Sequence, residues 1–290
     1  MRPAWLCLAP IGLAVLLLGS GPSYIDSIHQ WRRDRERKLQ ADGGWLSVGG
    51  LFWLQPGPNT TGSDPASDFV LPAGAAPALA GTFHLSGDEV RFDSAPGARV
   101  TATGEPFQSR LMRPDNDGSE DPIEIGRLRL FVIRRGGRLG IRLIDNQSEA
   151  RRSFHGLKWY PVDPAWRIVA RFEPYPAPKP IAILNVLGDT EPMTSPGVAV
   201  FEVAGETARL EPVLDGDELF FIFRDRTAGK ETYPAGRFVY APLPKDGKVV
   251  LDFNKACSPP CAFTPYATCP LPPPRNRLDF PIPAGELNPH

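Results

Sequence analysis

The chain has 290 residues, of which 42% are hydrophobic and 22% are charged, so it is long enough to bury one large core or two smaller ones. Its formal net charge of −1 argues against nucleic acid as a partner, because binding to phosphates needs an excess of basic residues. The 34 prolines and 28 glycines are spread between apolar segments, which is typical of turns in a β-rich protein.

The first 21 residues are predicted to be a secretory leader. "MRPAWLCLAPIGLAVLLLGSG" has one arginine, then an apolar stretch, then small residues, which are the three parts of such a signal. The apolar stretch is shorter than the roughly 20 residues that a membrane span needs. We therefore expect an exported protein, periplasmic or secreted. An uncleaved anchor stays open as the alternative, and membrane attachment is expected only through residues 1–21.

Residues 22–44 are predicted to form an amphipathic helix. In "SIHQWRRDRERKLQA", Ser27 is a suitable cap residue. Four side chains repeat at helical spacing along one side, namely Ile28, Trp31, Arg35 and Leu39. The apolar stripe is narrow, so the helix is expected to lie across a sheet edge. Its many arginines are interpreted as a solvated face.

After the helix, the pattern changes to short extended segments. "GTFHLSGDEVRFDS" predicts a hairpin that turns at Gly87-Asp88, and "GRLRLFVIRRGGRLGIRLID" predicts a second that turns at Gly136-Gly137. Similar strands continue towards the C-terminus, separated by Gly, Pro and Asp. The predicted fold class is therefore all-β, a sandwich or barrel built from hairpins, with one N-terminal amphipathic helix.

A polar stretch, "RPDNDGSEDP", predicts a boundary between two β units. The first unit is a small one covering residues 45–120. The second is larger, covers residues 121–287 and ends in a segment rich in proline and cysteine. Proline fixes the backbone and removes a hydrogen-bond donor, so this last segment is expected to be a stiff strap over one end of the β structure.

Four long stretches together resemble the domain-of-unknown-function family 1684 of bacteria and archaea. They are "GWLSVGGLFWLQPGPNTTGSDPASDFVLP", "GLKWYPVDPAWRIVARFEPY", "FIFRDRTAGKETYPAGRFVYAPLP" and "VVLDFNKACSPPCAFTPYATCPLPPPRNRL". The resemblance runs from about Ile28 to Glu286, and it implies no activity. Where the family pattern has Tyr-Asn, this chain has Cys257-Ser258, whereas Cys261 and Cys269 match the pattern.

A fainter resemblance links "GSDPASDFVLP" and the later "TATGEPF" to the start of a forkhead-associated β-sandwich, whose loops bind phosphothreonine. The arginine of that site is replaced by Ser63, and its Ser-x-x-His element is missing before His84. The resemblance therefore bears on fold and not on phosphothreonine binding.

The strongest concentration of polar residues in unusual places lies in the last quarter of the chain. "LFFIF" is apolar on both faces, which predicts a strand covered on both sides, and it runs directly into Arg224 and Asp225. Charged groups rarely accept such a position unless they are paired or belong to a site. Six side chains are predicted to line one ligand-binding concavity: Arg224, Asp225, Tyr233, Arg237, Asp252 and Asn254.

Three functions are compatible with these residues. Arginine binds carboxylate and phosphate through paired hydrogen bonds, so the favoured function is binding of a small polar or anionic molecule. An enzyme, such as a hydrolase with Asp225 or Asp252 as general base, is the second. A structural or protein-interaction domain is the third, with the charged residues acting only as a buried network. Because no P-loop, dinucleotide fingerprint or nucleophile elbow is present, no cofactor is predicted.

Cysteine spacing leaves the chemistry of the strap open. A disulfide between Cys261 and Cys269 is the first interpretation in an exported protein, and two packed thiols are the second. Cys257 would then be the odd cysteine. The spacings of four and eight residues lack a second Cys-x-x-Cys pair, so no metal site is predicted. A nucleophilic Cys261 paired with His155 is a weak further alternative.

Overall fold

The computed structural model describes residues 23–115, 120–203 and 205–290. The predicted leader, residues 1–21, lies outside these ranges. The described helices are α1 (Tyr24–Gln40) and α2 (Glu149–Arg152). Neither of the two combines the length and the apolarity needed to cross a membrane.

Helix α1 begins earlier than Ser27, the predicted cap. Ser23 is the N-cap, because its hydroxyl accepts a hydrogen bond from the Asp26 backbone at 3.2 Å, while the Asp26 carboxylate accepts one from the Ser23 backbone at 3.3 Å. This reciprocal arrangement is a capping box, and the prediction missed it because Ser27 and Ser23 are both suitable caps. Ile28 and Leu39 are buried, as the helical spacing predicts.

The first eleven strands belong to two sheets. In chain order they are β1 (Val48–Trp53), β2 (Gly57–Gly62), β3 (Phe69–Val70), β4 (Gly81–Ser86), β5 (Glu89–Ser94), β6 (Val100–Ala102), β7 (Glu105–Pro106), β8 (Ser109–Met112), β9 (Ile123–Ile125), β10 (Leu128–Arg135) and β11 (Arg138–Asp145). Five of them form a sheet in the order β3-β2-β4-β5-β8, and the other six form a sheet in the order β1-β11-β10-β9-β6-β7.

Both predicted hairpins are present in these sheets. Strands β4 and β5 join at a turn that contains Gly87, and β10 and β11 pair from Leu128↔Asp145 to Arg135↔Arg138. Gly136 and Gly137 have φ angles of 54° and 76°, the positive values that a tight two-residue hairpin turn requires. Apolar side chains of both sheets share one buried core, so the sheets pack face to face as a sandwich.

The remaining strands form a second pair of sheets. They are β12 (Arg167–Leu184), β13 (Thr190–Val203), β14 (Glu206–Leu210), β15 (Val213–Asp215), β16 (Glu218–Phe223), β17 (Arg237–Pro242) and β18 (Lys248–Asp252). Four pair in the order β14-β13-β12-β18, and three pair in the order β15-β16-β17. Their shared core is rich in phenylalanine and includes Phe201, Phe221, Phe223 and Phe253.

Strand β16 is covered on both faces, as its continuous apolar sequence predicts. Leu219, Phe221 and Phe223 face the core between the two sheets. Phe220 and Ile222 face a separate apolar cluster, which also contains Cys257 and Cys269. The strap, residues 257–278, and helix α1 therefore cover the outer face of β16.

The six-stranded sheet draws strands from both sides of the predicted boundary at residues 120 and 121. Strand β1 pairs with β11 from Val48↔Ile144 to Trp53↔Gly140. The hairpin β10–β11 thus shares a sheet with the residues that precede the polar stretch. Its tip also reaches the later strands, because Gly136 donates a backbone hydrogen bond to Glu191 at 2.9 Å. The division into independent domains stays a prediction.

Candidate functional site

Asp225 and Arg237 form a buried ion pair at the end of the β16–β17 hairpin where the connecting loop begins. Each side chain is only 1% exposed. The Arg237 guanidinium also donates to the backbone oxygens of Ile282, at 2.9 Å, and Ala284. The second oxygen of Asp225 accepts from the backbone and hydroxyl of Thr227. Both carboxylate oxygens are therefore engaged within the protein, which stabilises the turn and fixes the C-terminal residues against it.

Asp252 and Asn254 belong to a different network, which ties the end of β18 to the start of α1. The Tyr24 hydroxyl donates to Asp252 at 2.8 Å and accepts from Asn254 at 3.0 Å. Asn254 also exchanges two hydrogen bonds with the backbone of Asp163, at 2.8 and 3.0 Å. Burial and the Asp252 carboxylate raise the pKa of Tyr24, because both disfavour the phenolate.

Tyr233 and Arg224 lie apart from these two networks. The Tyr233 hydroxyl donates to the backbone oxygen of Cys261 at 2.9 Å, so it contacts the strap. Arg224 is exposed, and its backbone bonds to Asn276 and Leu278 of the strap at 3.0 and 2.7 Å. The six residues predicted to share one concavity are thus divided among separate contacts, and their role in ligand binding stays a prediction.

The arginines of α1 are divided: two are exposed, as the prediction of a solvated face requires, whereas Arg32 is buried and Arg35 is partly buried. Arg35 donates to Glu286 at 2.9 Å and to the backbone of Ser258 at 2.7 Å, and Glu286 is fully buried. Arg32 lies over the Trp159 ring at 4.8 Å from its centroid. The long aliphatic stem lets arginine pack inside while its charge is paired or stacked on an aromatic ring. Glu286 carried no sequence signal, because its partner is 251 residues away.

A cavity of about 980 Å³ lies between α1 and β17. Six charged side chains line it: Asp34, Arg35, Arg37, Lys38, Glu218 and Lys255. Trp31 and Tyr240 supply aromatic walls, and Cys257 also lines it. This cavity was not predicted from the sequence, because the arginines of the helix were interpreted as a solvated face.

The cavity walls are held in place by packing on their far sides. Tyr240 stacks on Phe220 with ring centroids 4.7 Å apart and an angle of 11° between the rings. Trp31 meets Trp159 edge to face at 5.9 Å. Such aromatic pairs add about 0.5–1.5 kcal/mol beyond burial. They therefore hold Trp31 and Tyr240 in their wall positions by contacts within the protein.

A second cavity, of about 600 Å³, adjoins the Asp252 network. Tyr24 and Arg167 line it together with Ser23, Ile25 and Pro164. The Arg167 guanidinium lies 5.9 Å from the centroid of the Tyr24 ring. Its lining is mostly apolar and Tyr24 is already bonded to Asp252, so it offers fewer free polar groups than the first cavity.

Tyrosine ionisation gives a first testable prediction. Burial raises the pKa of five tyrosines above the ordinary value of 10: Tyr24, Tyr160, Tyr175, Tyr233 and Tyr240. A raised pKa in the folded state adds stability below pH 10 that is lost as the pH rises further. We expect absorbance at 295 nm to rise at a higher pH for the folded than for the denatured protein, and the free energy of unfolding to fall above pH 10. Absorbance curves that coincide for the folded and the denatured protein would contradict this prediction.

The fold is that of a mostly β protein with several sheets and one N-terminal helix. The family model described as "Protein of unknown function (DUF1684)" matches residues 152–287. The chain belongs to this family, as the resemblance predicts, and membership assigns no activity. The family match begins at residue 152, so the predicted extent back to Ile28 is not covered by it.

Solved structures with similarity to this chain include an uncharacterized protein of Haloarcula marismortui, determined by solution NMR. It is 33% identical, with a TM-score of 0.41, over 47% of this chain and 78% of the other. No match was found among functionally curated proteins.

Forkhead-associated domains are also among the structural neighbours. One is the FhaA domain in complex with the intracellular domain of another protein, at 16% identity and a TM-score of 0.24, over 32% of this chain and 96% of that one. Another comes from a study of phosphothreonine-dependent interactions, at 18% identity and a TM-score of 0.22, over 31% of this chain and 79% of that one. At these TM-scores the similarity supports no inference about phosphothreonine binding.

Proposed function

We propose that the protein binds a small organic anion in the cavity between α1 and β17. The observation that carries the proposal is the composition of the walls, with four basic side chains, two acidic ones and two aromatic rings. The whole chain has a net charge of −1, so this excess of positive charge is local. A cleft in which one sign of charge is in excess concentrates ligands of the opposite sign.

The ion pairs around the cavity indicate which cations are available to a ligand. Arg37 pairs with Asp34, and Arg35 pairs with the buried Glu286. Lys255 lies 4.0 Å from Asp252, at the limit of a salt bridge, and the side chain of Lys38 is exposed. Lys38 and Lys255 are therefore the cations that we expect to contact the anionic group.

The size and the aromatic walls of the cavity favour an organic anion over an inorganic one. Small-molecule sites are typically about 300–1,000 Å³, a range that includes this cavity. Trp31 and Tyr240 offer flat apolar surfaces on which a planar or sugar ring can stack. The ligand class proposed is thus a carboxylate or phosphate that carries a ring.

The ligand class is the one favoured from the sequence, but the proposed position differs. The hydrolase alternative has less support: the oxygens of Asp225 are occupied by Arg237 and Thr227 and are nearly solvent-free. At the other candidate, Asp252, one oxygen accepts hydrogen bonds from the Tyr24 hydroxyl and from the Asn254 backbone. A general base needs a lone pair that is directed at a substrate proton.

The experiment is a thermal melting panel with the purified protein. Carboxylates, inorganic phosphate, sugar phosphates and nucleoside monophosphates are compared with neutral sugars. A ligand at 100 times its Kd adds about 2.7 kcal/mol, which corresponds to roughly 5–10 °C in the melting temperature. We expect such a shift for at least one ring-bearing anion and none for the neutral sugars.

Anions also stabilise proteins by exclusion from the surface, so a variant separates the two effects. In the double variant Lys38→Glu/Lys255→Glu the specific shift should be lost, whereas stabilisation by exclusion is retained. Equal shifts in the wild type and the variant, or no shift with any anion, would contradict the proposal.

We further propose that the protein is exported, on the strength of the leader-like sequence of residues 1–21. Fusing residues 1–44 to alkaline phosphatase tests this, because that enzyme is active only where its disulfides form. Activity comparable to that of a fusion with a known leader is expected. An inactive but abundant fusion would contradict export.

A further inference from the structure

Cys261 and Cys269 face each other across the proline-rich turn of the strap. The backbone nitrogen of Cys261 donates a hydrogen bond to the sulfur of Cys269 at 3.1 Å, which places the Cys269 thiol against Cys261. Both are free thiols in the structure. The structure has the two cysteines as free thiols packed together, and the predicted disulfide between them stays a prediction.

The two thiols differ in access to solvent. Cys269 is buried, in the apolar cluster that also contains Ile183 and Phe238, whereas Cys261 is partly exposed. Cys257 belongs to the same apolar cluster, but its backbone contacts differ from those of the pair. It is buried, and its backbone exchanges two hydrogen bonds with Phe238, at 2.9 and 3.0 Å.

A buried arginine of β11 acts on the Cys269 thiol and leaves part of its guanidinium without a hydrogen bond among the described residues. Arg142 is buried, and neither its Nε nor its Nη2 has a hydrogen-bond partner among the described residues. Its guanidinium lies over the ring of Trp45 at 5.4 Å, and it is close enough to Cys269 to affect the pKa of that thiol. Asp115 and Glu120 also act on Arg142, and a thiolate at Cys269 would add a further negative charge near its buried guanidinium.

We infer that Cys261 and Cys269 form a redox-active dithiol that exchanges with small disulfides, with Cys261 as the attacking thiol and Cys269 as the resolving thiol. This inference does not depend on the anion site proposed above. It rests on the contact of the Cys261 backbone with the Cys269 sulfur, on the unequal access of the two thiols to solvent and on the buried guanidinium of Arg142.

The reaction has two exchange steps. The Cys261 thiolate attacks one sulfur of a disulfide R–S–S–R, which forms a mixed disulfide and releases one R–S⁻. Cys269 then loses its proton and attacks the Cys261 sulfur, which forms the internal disulfide and releases the second R–S⁻. One S–S bond forms and one breaks at each step, and the two thiol protons leave on two molecules of R–SH. Two cysteines are oxidised while one small disulfide is reduced.

The surroundings of the thiols favour this order of attack. The hydrogen bond from the Cys269 thiol lowers the pKa of Cys261 to about 7, against the effect of burial. The hydrogen bond with Cys261 and burial raise the pKa of Cys269, and the Arg142 guanidinium opposes that rise. Once Cys261 is in a mixed disulfide its negative charge is gone, so Arg142 is left to favour the Cys269 thiolate for the second step.

The strap backbone around both thiols is fixed in place. Asn185 and Pro270 form a β-bridge, and Val186 donates to the Cys269 carbonyl at 3.0 Å. Tyr233 holds the carbonyl of Cys261, as described above. The pairing of the thiols is therefore built into the fold, and exchange requires no large movement of the chain.

The test uses the purified full-length protein, reduced and then incubated with oxidised glutathione. Cysteine-containing peptides are mapped by alkylation and mass spectrometry. We expect one disulfide between Cys261 and Cys269, reversed by dithiothreitol, with Cys257 unmodified. At pH 7, alkylation of Cys261 should be about tenfold faster than that of an ordinary thiol, because about half of it is thiolate.

Two variants separate the roles of the thiols. Cys269→Ser should stop the reaction at a stable mixed disulfide on Cys261, and Cys261→Ser should take up no glutathione. Cys257→Ser is the matched control and should still form the internal disulfide. A Cys269→Ser protein without a mixed disulfide, or a disulfide that involves Cys257, would overturn the inference. If a variant fails to fold, the peptide map of the wild type still shows whether the disulfide joins Cys261 and Cys269 or involves Cys257.

Discussion

Replacing Asp225 with alanine is expected to lower the free energy of unfolding by about 3–5 kcal/mol. The substitution leaves the Arg237 guanidinium charged, buried and without its carboxylate, while its two backbone acceptors remain. Removing one member of a buried ion pair lowers the free energy of unfolding far more than removing one member of an exposed pair. The charge that remains in the interior has neither water nor a partner to stabilise it. Urea denaturation followed by circular dichroism measures the change.

Asp279 provides the matched control for this prediction. It pairs with Arg226 at 2.9 Å, and the two side chains are 85% and 63% exposed. Asp279→Ala is expected to change the free energy of unfolding by less than about 1 kcal/mol. The double variant Asp225→Leu/Arg237→Met, which removes both charges, should be less damaging than Asp225→Ala alone. If Asp225→Ala and Asp279→Ala lowered the free energy of unfolding equally, Arg237 would have to be in contact with water, which would contradict the prediction.

Replacing Phe253 with alanine is expected to lower the free energy of unfolding by about 3–5 kcal/mol. Its ring is fully buried and lies 5.4 Å from that of Phe223, 5.8 Å from Phe201 and 6.5 Å from Trp166. These partners belong to β16, β13 and the turn before β12, so the lost ring leaves a cavity where the two sheets meet. Chemical denaturation measures the free energy of unfolding, and the melting temperature of the variant should be several degrees lower than that of the wild type.

Tyr266 is the control for Phe253, because it is an aromatic residue of similar size that is 37% exposed. Tyr266→Ala is expected to cost at most about 1 kcal/mol, in line with substitutions away from the core. A Phe253→Ala protein as stable as the Tyr266→Ala protein would mean that the core between the two sheets closes around the missing ring.

Local patterns in the sequence were sufficient to predict many of the strands. The hairpins β4–β5 and β10–β11 follow from alternation over a few residues and from glycines with positive φ, both of which are local properties. The double covering of β16 follows from its unbroken apolar sequence. Such signals need no knowledge of distant partners.

Long-range partners were not predictable in the same way. The pairing of β1 with β11 joins residues about 90 positions apart, and no local property of "VGGLFW" specifies it. The Tyr24 hydroxyl meets Asp252 and Asn254, which are 228 and 230 residues further along the chain. Alternation predicts which face of a strand is buried, but not which element covers it.

The candidate site shows the same limit. The sequence marks Arg224 and Asp225 as charges that need a partner or a site. The structure pairs Asp225 with Arg237, whereas Arg224 is exposed. The cavity between α1 and β17 depends on how the helix lies against the sheet, which neither segment specifies alone. A helix rich in arginine has the same pattern whether it faces solvent or lines a cavity.

Isothermal titration of the anion that gives the largest thermal shift tests the central claim most directly. The wild type is compared with Lys255→Glu and with the matched control Lys245→Glu, which makes the same charge change at an exposed position outside the cavity. We predict that Lys255→Glu raises the Kd about tenfold or more, equal to about 1.4 kcal/mol, and that Lys245→Glu leaves it within about twofold. Equal affinity in all three proteins would place the anion outside the cavity and contradict the proposed site.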